Sequence, residues 1–352
     1  MIKDIFIQKK ILHFKEPFRI AYEEVDKTEV VIIKIKDKKG HCGLGSAAPD
    51  SEVTKETVKS VFRVLQEKLN KEFFLWPISQ WYRYHEKIQE VFRGFPSAQN
   101  AVEEAILNLW SQNYKVSLSH FFGGYREQAE IMITIGIKTK EEAVRDVKQR
   151  LKEGFKIIKL KCGLDLKEDI ERIKAVIKVI PSSSQLILDA NQGYSLPEAK
   201  KLLLVIKNLG IILIEQPIKA KNLKGLKELC ALKLLPIIAD ESVVTVQDAY
   251  NLLLGDYVDG VNIKIMKCGG PINFLKIFHL AKSLRKIIMI GCMYESNISI
   301  TTGALLALAL PIDYVDLDSG HLDFYDDPAK GGALIKNGRI ILEKPITFKN
   351  PS

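Results

Sequence analysis

The sequence has few cysteines, and no pattern organises them. The five cysteines lie far apart and without CxxC spacing, at Cys42, Cys162, Cys230, Cys268 and Cys292. Such spacing argues against both a disulfide framework and a zinc site with cysteine ligands. We therefore expect five free thiols.

Long hydrophobic runs are also missing. No stretch approaches the roughly 18 apolar residues that a membrane-spanning helix needs. The first ten residues, MIKDIFIQKK, mix charged with apolar side chains and do not resemble a signal peptide. We therefore expect a cytoplasmic protein without a membrane partner. A hydrophobic content of 47% is enough for one large core or two smaller ones.

The excess of positive charge is not gathered in one place. The formal net charge is +9, but lysines alternate with glutamates along predicted helices such as LKEDIERIKAVIKVI. Interleaved charges are typical of a solvated helix surface, whereas a nucleic-acid interface clusters its cations. We expect no nucleic-acid partner, and the sequence leaves open whether the protein forms a homo-oligomer.

The first 125 or so residues have an α+β pattern. Strand patterns cover residues 4–14 and 29–48, and a DKKG turn interrupts the second. Helical patterns follow at about residues 54–70, 77–92 and 97–113. Near the C-terminus, LIKNGRIILEKP predicts a hairpin with a turn at Asn337 and Gly338, which we expect to rejoin the N-terminal part.

From about residue 130 the pattern changes to short apolar runs at intervals of 24 to 30 residues, each followed by an amphipathic helical segment. The runs are residues 131–137, 156–162, 186–191, 211–216, 236–241, 260–265, 287–293 and 314–318. Eight buried strands with right-handed helical crossovers predict a closed parallel barrel. An open doubly wound sheet alternates similarly, but it usually carries a glycine-rich phosphate turn that this sequence lacks.

Acidic residues stand where three consecutive predicted strands end. Asp189, Glu215 and Asp240 are separated by 26 and 25 residues. Because the carboxyl ends of barrel strands form the active-site face, the three side chains should converge. A single acid at such a place more often caps a helix, but three in consecutive units indicate a site for a hard cation. Oxygen ligands without histidine or cysteine favour Mg²⁺ over zinc.

Lysines end two other predicted strands. Lys159 and Lys161 end the second strand and share one side of it, which faces either the barrel mouth or the helices. Lys264 ends the sixth strand, opposite the second in an eight-stranded barrel, so Lys161 and Lys264 would face each other. Alone, such lysines would be interpreted as solvated strand ends. As a pair they suit removal and return of a proton next to a carboxylate, provided that the basic lysine is partly neutral near pH 7.

The motifs KLK, DAN, EQP, ADES, NIKIMKCGG and GCMYES follow one another on predicted strands two to seven. In this order they resemble the muconate lactonising subgroup of the enolase superfamily over nearly the whole chain. The resemblance implies an α/β fold, a modified TIM barrel of the (β/α)7β type in residues 126–320. It also implies an α+β capping domain built from residues 1–125 and the C-terminal segment 321–352. By this likeness the three carboxylates bind Mg²⁺, Lys161 and Lys264 are acid/base catalysts, and Lys159 supports Lys161.

The eighth predicted strand ends in Asp316 and Asp318, which alternation places on one face. Two carboxylates there can bind an ammonium group, and this pattern resembles dipeptide epimerases, in which the pair binds the free α-amino group. The resemblance implies inversion of the second residue's α-carbon through an enediolate. The ordinary alternative is that both residues cap the barrel end. Thr134 on the first strand and Glu295 after the seventh are further candidates for binding the substrate.

Two positions depart from the family pattern. Relatives selective for Ala-Glu carry an arginine in the capping loop after a Pro-Phe pair, and here the loop after Phe18 puts Glu23 at that place. Glu23 would repel an acidic substrate side chain and favour a hydrophobic or cationic one, although Arg19 is close enough to face the side chain instead. The second departure is Ser46, where relatives commonly have glutamate.

Other functions stay open at this stage. An o-succinylbenzoate synthase or a muconate cycloisomerase would use similar lysine and metal positions, but neither substrate has an ammonium group for Asp316 and Asp318. A mandelate-type racemase uses a histidine, and no histidine ends one of the first seven predicted strands. A Schiff-base aldolase would need one barrel lysine and no metal. A barrel that only binds peptides or a partner would not need the complete set of central residues.

Overall fold

The computed structural model describes residues 2–348. Its N-terminal part is a three-stranded antiparallel sheet followed by helices. The strands, in the order β1-β2-β3, are β1 (Ile2–Arg19), β2 (Glu24–Asp37) and β3 (Cys42–Ala47). The helices are α1 (Val58–Lys68), α2 (Trp81–Val91), α3 (Pro96–Tyr114) and α4 (Leu118–Phe122), with 3-10 turns at Lys71–Phe73 and Ile78–Gln80.

Alternation along β2 buries Val31, Ile33 and Ile35 against α1, α2 and α3. The approach of β3 to α3 requires glycine, because a Cβ atom on Gly43 or Gly45 would lie 1.9 Å from a carbonyl oxygen of α3. The sheet and helices therefore form one compact layer pair with its own core.

Eight parallel strands follow the two-residue strand β4 (Ala129–Glu130). They are β5 (Met132–Ile135), β6 (Ile157–Lys161), β7 (Gln185–Asp189), β8 (Ile211–Glu215), β9 (Ile237–Ala239), β10 (Gly260–Lys264), β11 (Ile287–Gly291) and β12 (Tyr314–Asp316). The helices between them are α5 (Lys140–Lys152), α6 (Leu166–Ile177), α7 (Leu196–Ile206), α8 (Leu223–Ala231), α9 (Val246–Leu254), α10 (Ile265–Cys268), α11 (Pro271–Ser283) and α12 (Asn297–Ala309).

The strands are hydrogen-bonded in chain order from β5 to β12. Each coincides with one of the eight predicted apolar runs to within one residue at its start, so the predicted fold class is confirmed: an α/β barrel sheet, nearly closed, with an N-terminal antiparallel capping domain. Within the described residues, β5 and β12 share no strand ladder. Near the carboxyl ends of the two strands, the backbone N–H of Thr134 on β5 donates to Oδ2 of Asp318, which follows β12, at 2.6 Å.

The two faces of each barrel strand carry different side chains. One set fills the barrel interior below the site: Met132, Ile157, Ile187, Leu213, Ile238 and Met289. The alternate set, including Ile158, Leu160 and Ile214, packs outward against the helices in the largest core. Because side chains alternate, the residue two or four positions after each interior residue points into the barrel mouth.

The predicted C-terminal hairpin is present as β13 (Ala329–Lys336) and β14 (Arg339–Phe348). Asn337 and Gly338 form its two-residue turn with φ of 51° and 67°, the left-handed conformation that such hairpin turns need. Strand β14 pairs with β4 beside the barrel. Its last residues, Ile346 and Phe348, pack near Phe14 of β1. The predicted limits of the domains stay a prediction.

The capping domain contacts the barrel through buried polar groups. Glu104 of α3 accepts hydrogen bonds from the backbone N–H of Ser46 at 2.9 Å and from Ser299 Oγ of α12 at 3.0 Å. Burial raises the pKa of Glu104 to about 8. A glutamate from the neighbouring helix therefore contacts the backbone at position 46, where the sequence departs from the family pattern.

All five cysteines are free thiols, as expected. Among residues 2–348, no helix has the length and hydrophobicity required to cross a membrane.

Candidate active site

A cavity of about 1030 Å³ opens at the carboxyl ends of the barrel strands. Its walls come from the barrel mouth, from residues 14–24 at the end of β1 and the turn into β2, and from Asp50 after β3. Lys159, Lys161 and Lys264 line this cavity together. The lysines of β6 therefore point into the barrel mouth, because Ile158 and Leu160 take the outward face.

Lys159 lies at the centre of the site and is 2% exposed. Its ammonium group is 2.9 Å from Asp189 Oδ2, 2.8 Å from Glu215 Oε2 and 2.7 Å from Asp316 Oδ2. A single buried cation thus links carboxylates from three strands of the barrel.

Lys161 ends β6 and reaches toward the next strand. Its Nζ lies 2.7 Å from Asp189 Oδ2 and donates to Asn191 Oδ1 at 2.9 Å. The short distance to Asp189 follows from the register of the two strands, because Lys161 stands opposite Asp189 in the β6–β7 ladder. Asn191 in turn donates from Nδ2 to Glu241 Oε1 at 3.2 Å, so three loops are connected around this amine.

Lys264 lies on β10, four strands away from β6 around the barrel. Its Nζ is 2.9 Å from Asp240 Oδ2. The other oxygen of Asp240 pairs with Lys267, a residue of α10 that is 1% exposed. Asp240 therefore sits between two ammonium groups.

The three predicted metal ligands stand at neighbouring strand ends and are almost fully buried. Asp189 lies opposite Glu215 in the β7–β8 ladder, and Asp240 directly follows β9. Burial would raise the pKa of Asp189, but the ammonium groups of Lys159 and Lys161 lower it to about 2. For Glu215, burial and the charge of Asp189 outweigh the nearby Lys159 and raise the pKa to about 8.

Two of the lysines, Lys264 and Lys159, have raised pKa values. Burial acts to lower the pKa of Lys264, but the Asp240 and Glu215 carboxylates raise it above its usual value. The same balance holds for Lys159, where Asp189 and Asp316 together raise the pKa. Direct pairing with carboxylates therefore decides the charge of these amines. Such pairing cannot be read from the spacing of residues in the sequence.

The carboxylates do not form a preassembled ligand cage. Within residues 2–348, no three Asp, Glu, His or Cys side chains gather closely enough to hold a metal ion. The amines of Lys159, Lys264 and Lys267 bond to carboxylate oxygens of the three predicted metal ligands. We call Asp189, Glu215, Asp240, Glu241, Asp316, Asp318 and the amines of Lys159, Lys161, Lys264 and Lys267 the carboxylate–amine cluster.

The composition of the carboxylate–amine cluster nevertheless fits a divalent cation. Carboxylates outnumber amines in it, so a bound divalent cation would compensate the negative charge that the lysines leave over when all six carboxylates are ionised. Glu215 Oε2 and Glu241 Oε2 are buried and accept no hydrogen bond, although Glu215 Oε2 lies within ion-pair distance of Lys159. Carboxylate oxygens are the ligands that Mg²⁺ prefers.

Asp316 and Asp318 both line the cavity beside Lys159. Asp316 Oδ2 bonds to Lys159, while Asp316 Oδ1 is buried without a hydrogen-bond partner. Asp318 accepts from the backbone of Thr134, and burial together with the charge of Asp316 raises the pKa of Asp318. The pair thus presents acceptor oxygens to the cavity that a cationic group can satisfy.

Thr134 and Glu295, the two further candidates for binding the substrate, lie in different surroundings. Thr134 lines the cavity. Glu295 does not: it is 1% exposed, and its Oε1 accepts a hydrogen bond from the backbone N–H of Met293 at 2.8 Å. Its carboxylate therefore stabilises the loop after β11, and a role of Glu295 in binding the substrate stays a prediction.

Glu23 and Arg19 both lie in the cavity wall, but their surroundings differ. Glu23 is partly buried, and burial reinforced by the charge of Asp50 raises its pKa. Arg19 is about half exposed, and its Nε lies 3.9 Å from Glu24 on the surface. Glu23 and Asp50 therefore give this wall a negative charge.

Several residues of the site were not predicted as members of it. Asn191, Glu241 and Lys267 lie inside the motifs DAN, ADES and NIKIMKCGG, so the signal was present one to three residues from the predicted positions. Tyr294 lines the cavity, and its buried hydroxyl lies close enough to Glu23 to influence the pKa of that carboxylate. It stands in the GCMYES motif, where nothing in the spacing singles it out.

Two family models match the chain. One, the mandelate racemase / muconate lactonizing enzyme N-terminal domain, covers residues 2–123. The other, described as enolase C-terminal domain-like, covers residues 142–345.

Several epimerases are similar to this chain over nearly their full length. An L-Ala-D/L-Glu epimerase of Clostridium acetobutylicum is 36% identical, with 97% of this chain and 96% of the relative covered. The structure of an Enterococcus faecalis dipeptide epimerase with Mg and L-Leu-L-Tyr matches with a TM-score of 0.92 at 30% identity, covering 98% and 99%. A Methylococcus capsulatus dipeptide epimerase with Mg and L-Arg-D-Lys matches with a TM-score of 0.90 at 31% identity, covering 97% of both chains.

The barrel, its capping domain and these matches define the class: the chain belongs to the enolase superfamily, in the branch of mandelate racemase and muconate lactonizing enzyme. Within that superfamily it is an isomerase of the dipeptide epimerase type, since the relatives named above are epimerases at 30–36% identity along almost the entire chain.

Proposed function

We propose that this protein is a Mg²⁺-dependent dipeptide epimerase that inverts the α-carbon of the second residue by proton transfer between two lysines. The observation that carries the proposal is the placement of Lys161 and Lys264 on β6 and β10, opposite each other in one cavity. An unpartnered oxygen of Asp316 in the same cavity provides a place for the substrate's ammonium group. The Mg and dipeptide complexes of similar proteins support both parts.

The dipeptide binds through its two charged ends. Asp316 and Asp318 accept hydrogen bonds from the α-ammonium group, which strengthens them as charge-assisted contacts. Asp189, Glu215 and Asp240 would hold Mg²⁺. When bound, the ion would supply positive charge that stabilises negative charge on the substrate carboxylate.

The two lysines divide the proton transfer between the faces of the α-carbon. The neutral amine on one face takes the α-proton and becomes an ammonium group. The ammonium group on the other face delivers a proton to the carbanion and becomes neutral. Lys159 stays charged because three carboxylates surround it, so it acts as a fixed cation beside the reacting centre.

The first prediction concerns metal-dependent exchange. With Mg²⁺ in D₂O, the protein should exchange the α-proton of the second residue of an L,L-dipeptide and form the L,D epimer, detected by proton NMR and chiral chromatography. EDTA should abolish both reactions, and added Mg²⁺ should restore them. The α-proton of the substrate becomes acidic enough only when a cation neutralises the neighbouring carboxylate.

A broad library of L,L-dipeptides without any metal-dependent exchange would refute the epimerase proposal. Borohydride trapping with keto substrates serves as the control for Schiff-base chemistry. Covalent trapping on Lys161 or Lys264 would favour the aldolase alternative, since an epimerase with these roles forms no bond between lysine and substrate.

The side-chain preference is proposed to be cationic or hydrophobic rather than glutamate. Glu23 and Asp50 place negative charge in the cavity wall, and a glutamate side chain there would be repelled. Tyr22 and Tyr294 line the same wall and offer aromatic surface to an apolar or cationic side chain.

The second prediction tests this wall by a charge reversal. Glu23→Arg should shift the ratio of kcat/KM for L-Ala-L-Glu over L-Ala-L-Lys upward by about tenfold or more, since one buried charge contact is exchanged for a repulsion. The matched control is Glu29→Arg, an equal change of charge on β2 beside Lys9 and outside the cavity wall. Equal ratios in Glu23→Arg and wild type would show that Glu23 does not face the substrate side chain.

A further inference from the structure

A buried hydrogen-bond network lies beside the end of β6, where two of its residues line the edge of the cavity, and it takes no part in the chemistry proposed above. It consists of Asp169 and Arg172 in the first two turns of α6 and Tyr194 in the loop after β7, and we call it the α6 network. Their exposed fractions are 1%, 4% and 4%. Asp169 Oδ1 pairs with Arg172 Nη2, and the Tyr194 hydroxyl donates to Asp169 Oδ2 at 2.6 Å.

The α6 network holds the backbone on both sides of Cys162. Arg172 Nη2 donates to the carbonyl oxygen of Lys161 at 3.1 Å. The N–H of Gly163 donates to Asp169 Oδ2 at 2.8 Å. The N–H of Cys162 itself bonds to the carbonyl of Asp189 at 2.8 Å. The end of β6 is thus fixed both to α6 and to β7.

The loops after β6 and β7 touch through their backbones. Gly163 has a φ of +109°, and a Cβ atom on it would lie 2.4 Å from the carbonyl oxygen of Ala190. A Cβ atom on Gly193 would lie 2.1 Å from the carbonyl oxygen of Gly163. Tyr194 directly follows Gly193, so it adjoins the backbone contact that supports the end of β6.

Of the two opposed lysines, Lys161 is the one that the α6 network contacts. The α6 network bonds to the carbonyl of Lys161, while the described contact of Lys264 is with Asp240 on the far side of the barrel. The buried ion pair of Asp169 and Arg172 keeps its guanidinium and carboxylate in fixed mutual directions, although Arg172 Nε has no hydrogen-bond partner. We propose that Asp169, Arg172 and Tyr194 are positioning residues that set the reach of Lys161 into the cavity and leave Lys264 unaffected.

This inference rests on the two-lysine function, and its test separates the two faces of the substrate. In D₂O, α-proton exchange is measured separately from the L,L and the L,D epimer, and Lys161→Met identifies which of them depends on Lys161. Tyr194→Phe removes one hydroxyl and keeps the ring. It should lower the Lys161-dependent exchange about tenfold, because small misplacements of a catalytic group are costly in rate. Exchange at the other face should change less than twofold.

The matched control is Tyr84→Phe, which removes another buried tyrosine hydroxyl, bonded to the backbone of Trp76 in the capping domain. It should leave both exchange rates unchanged. Equal losses at both faces in Tyr194→Phe, or no loss at either, would overturn the positioning role. Arg172→Lys provides a second variant if Tyr194→Phe melts well below the wild type.

A readout independent of activity is the side-chain carbon NMR signal of Lys161 in lysine-labelled protein, assigned by its loss in Lys161→Met. In Tyr194→Phe this signal should shift while that of Lys264 stays in place. An unchanged Lys161 signal would overturn the inference even if exchange is lost. Absence of exchange in the wild type would instead refute the epimerase function, with the NMR result still deciding the positioning role.

Discussion

Lys161→Met and Lys264→Met should each lower kcat for epimerisation by about 10³-fold or more, since positioned acid/base groups contribute about 10² to 10⁴ each. Both lysines line the cavity, and they stand on strands that face each other across the barrel. Epimerisation needs a base on one face and an acid on the other, so neither amine can replace its partner. Methionine keeps most of the lysine stem and limits disruption of packing.

The two variants should differ in a second respect. Each retains one lysine, so each should still exchange the α-proton of one epimer with D₂O, and the epimer should be the opposite one in the two variants. Lys138→Met serves as the control, because Lys138 also lines the cavity but pairs with Asp146 at 2.7 Å. Its kcat should stay within about threefold of wild type. Epimerisation at the wild-type rate in either catalytic variant would contradict the two-base mechanism.

Lys159→Met should destabilise the metal-free protein by about 3 to 5 kcal/mol, the range for removing one partner from a buried ion pair. Lys159 is the cation shared by Asp189, Glu215 and Asp316, and without it these buried carboxylates repel one another. The free energy of unfolding is measured by urea titration in EDTA, followed by circular dichroism and by tryptophan fluorescence, whose coincidence checks two-state behaviour.

The control for this stability prediction is Lys200→Met. Lys200 makes an ion pair of 2.8 Å with Glu228, but both side chains are about half exposed. Exposed pairs contribute about 0 to 1 kcal/mol, so the same substitution should have little effect there. A loss below about 1 kcal/mol in Lys159→Met would mean that the three carboxylates do not depend on its ammonium group.

Fold and site could be predicted to different depths. The barrel follows from eight apolar runs with amphipathic segments between them, because strands buried on both faces leave a continuous signal in the sequence. The position of the site follows as well, since Asp189, Glu215 and Asp240 stand where consecutive strands end. Roles beyond placement, including metal binding and catalysis, stay predictions for these residues.

Other features depend on distances that no spacing reveals. The carboxylate of Glu295 binds the backbone of its own loop. The raised pKa of Lys264 is another such feature, because it results from Asp240 within ion-pair distance. Strand β14 pairs with β4 beside the barrel, and that pairing joins residues more than 200 positions apart.

The sequence by itself determined the order of strands, the alternation that turns Lys159 and Lys161 to one side, and the strand ends on which charged groups stand. These properties are local, because side-chain direction repeats every two residues along a strand. Only the tertiary structure decided that this side is the barrel interior, which amine meets which carboxylate, and how α6 and Tyr194 support the end of β6. Those outcomes depend on closure of the barrel, which brings groups from distant strands within hydrogen-bonding distance and makes burial set their charge.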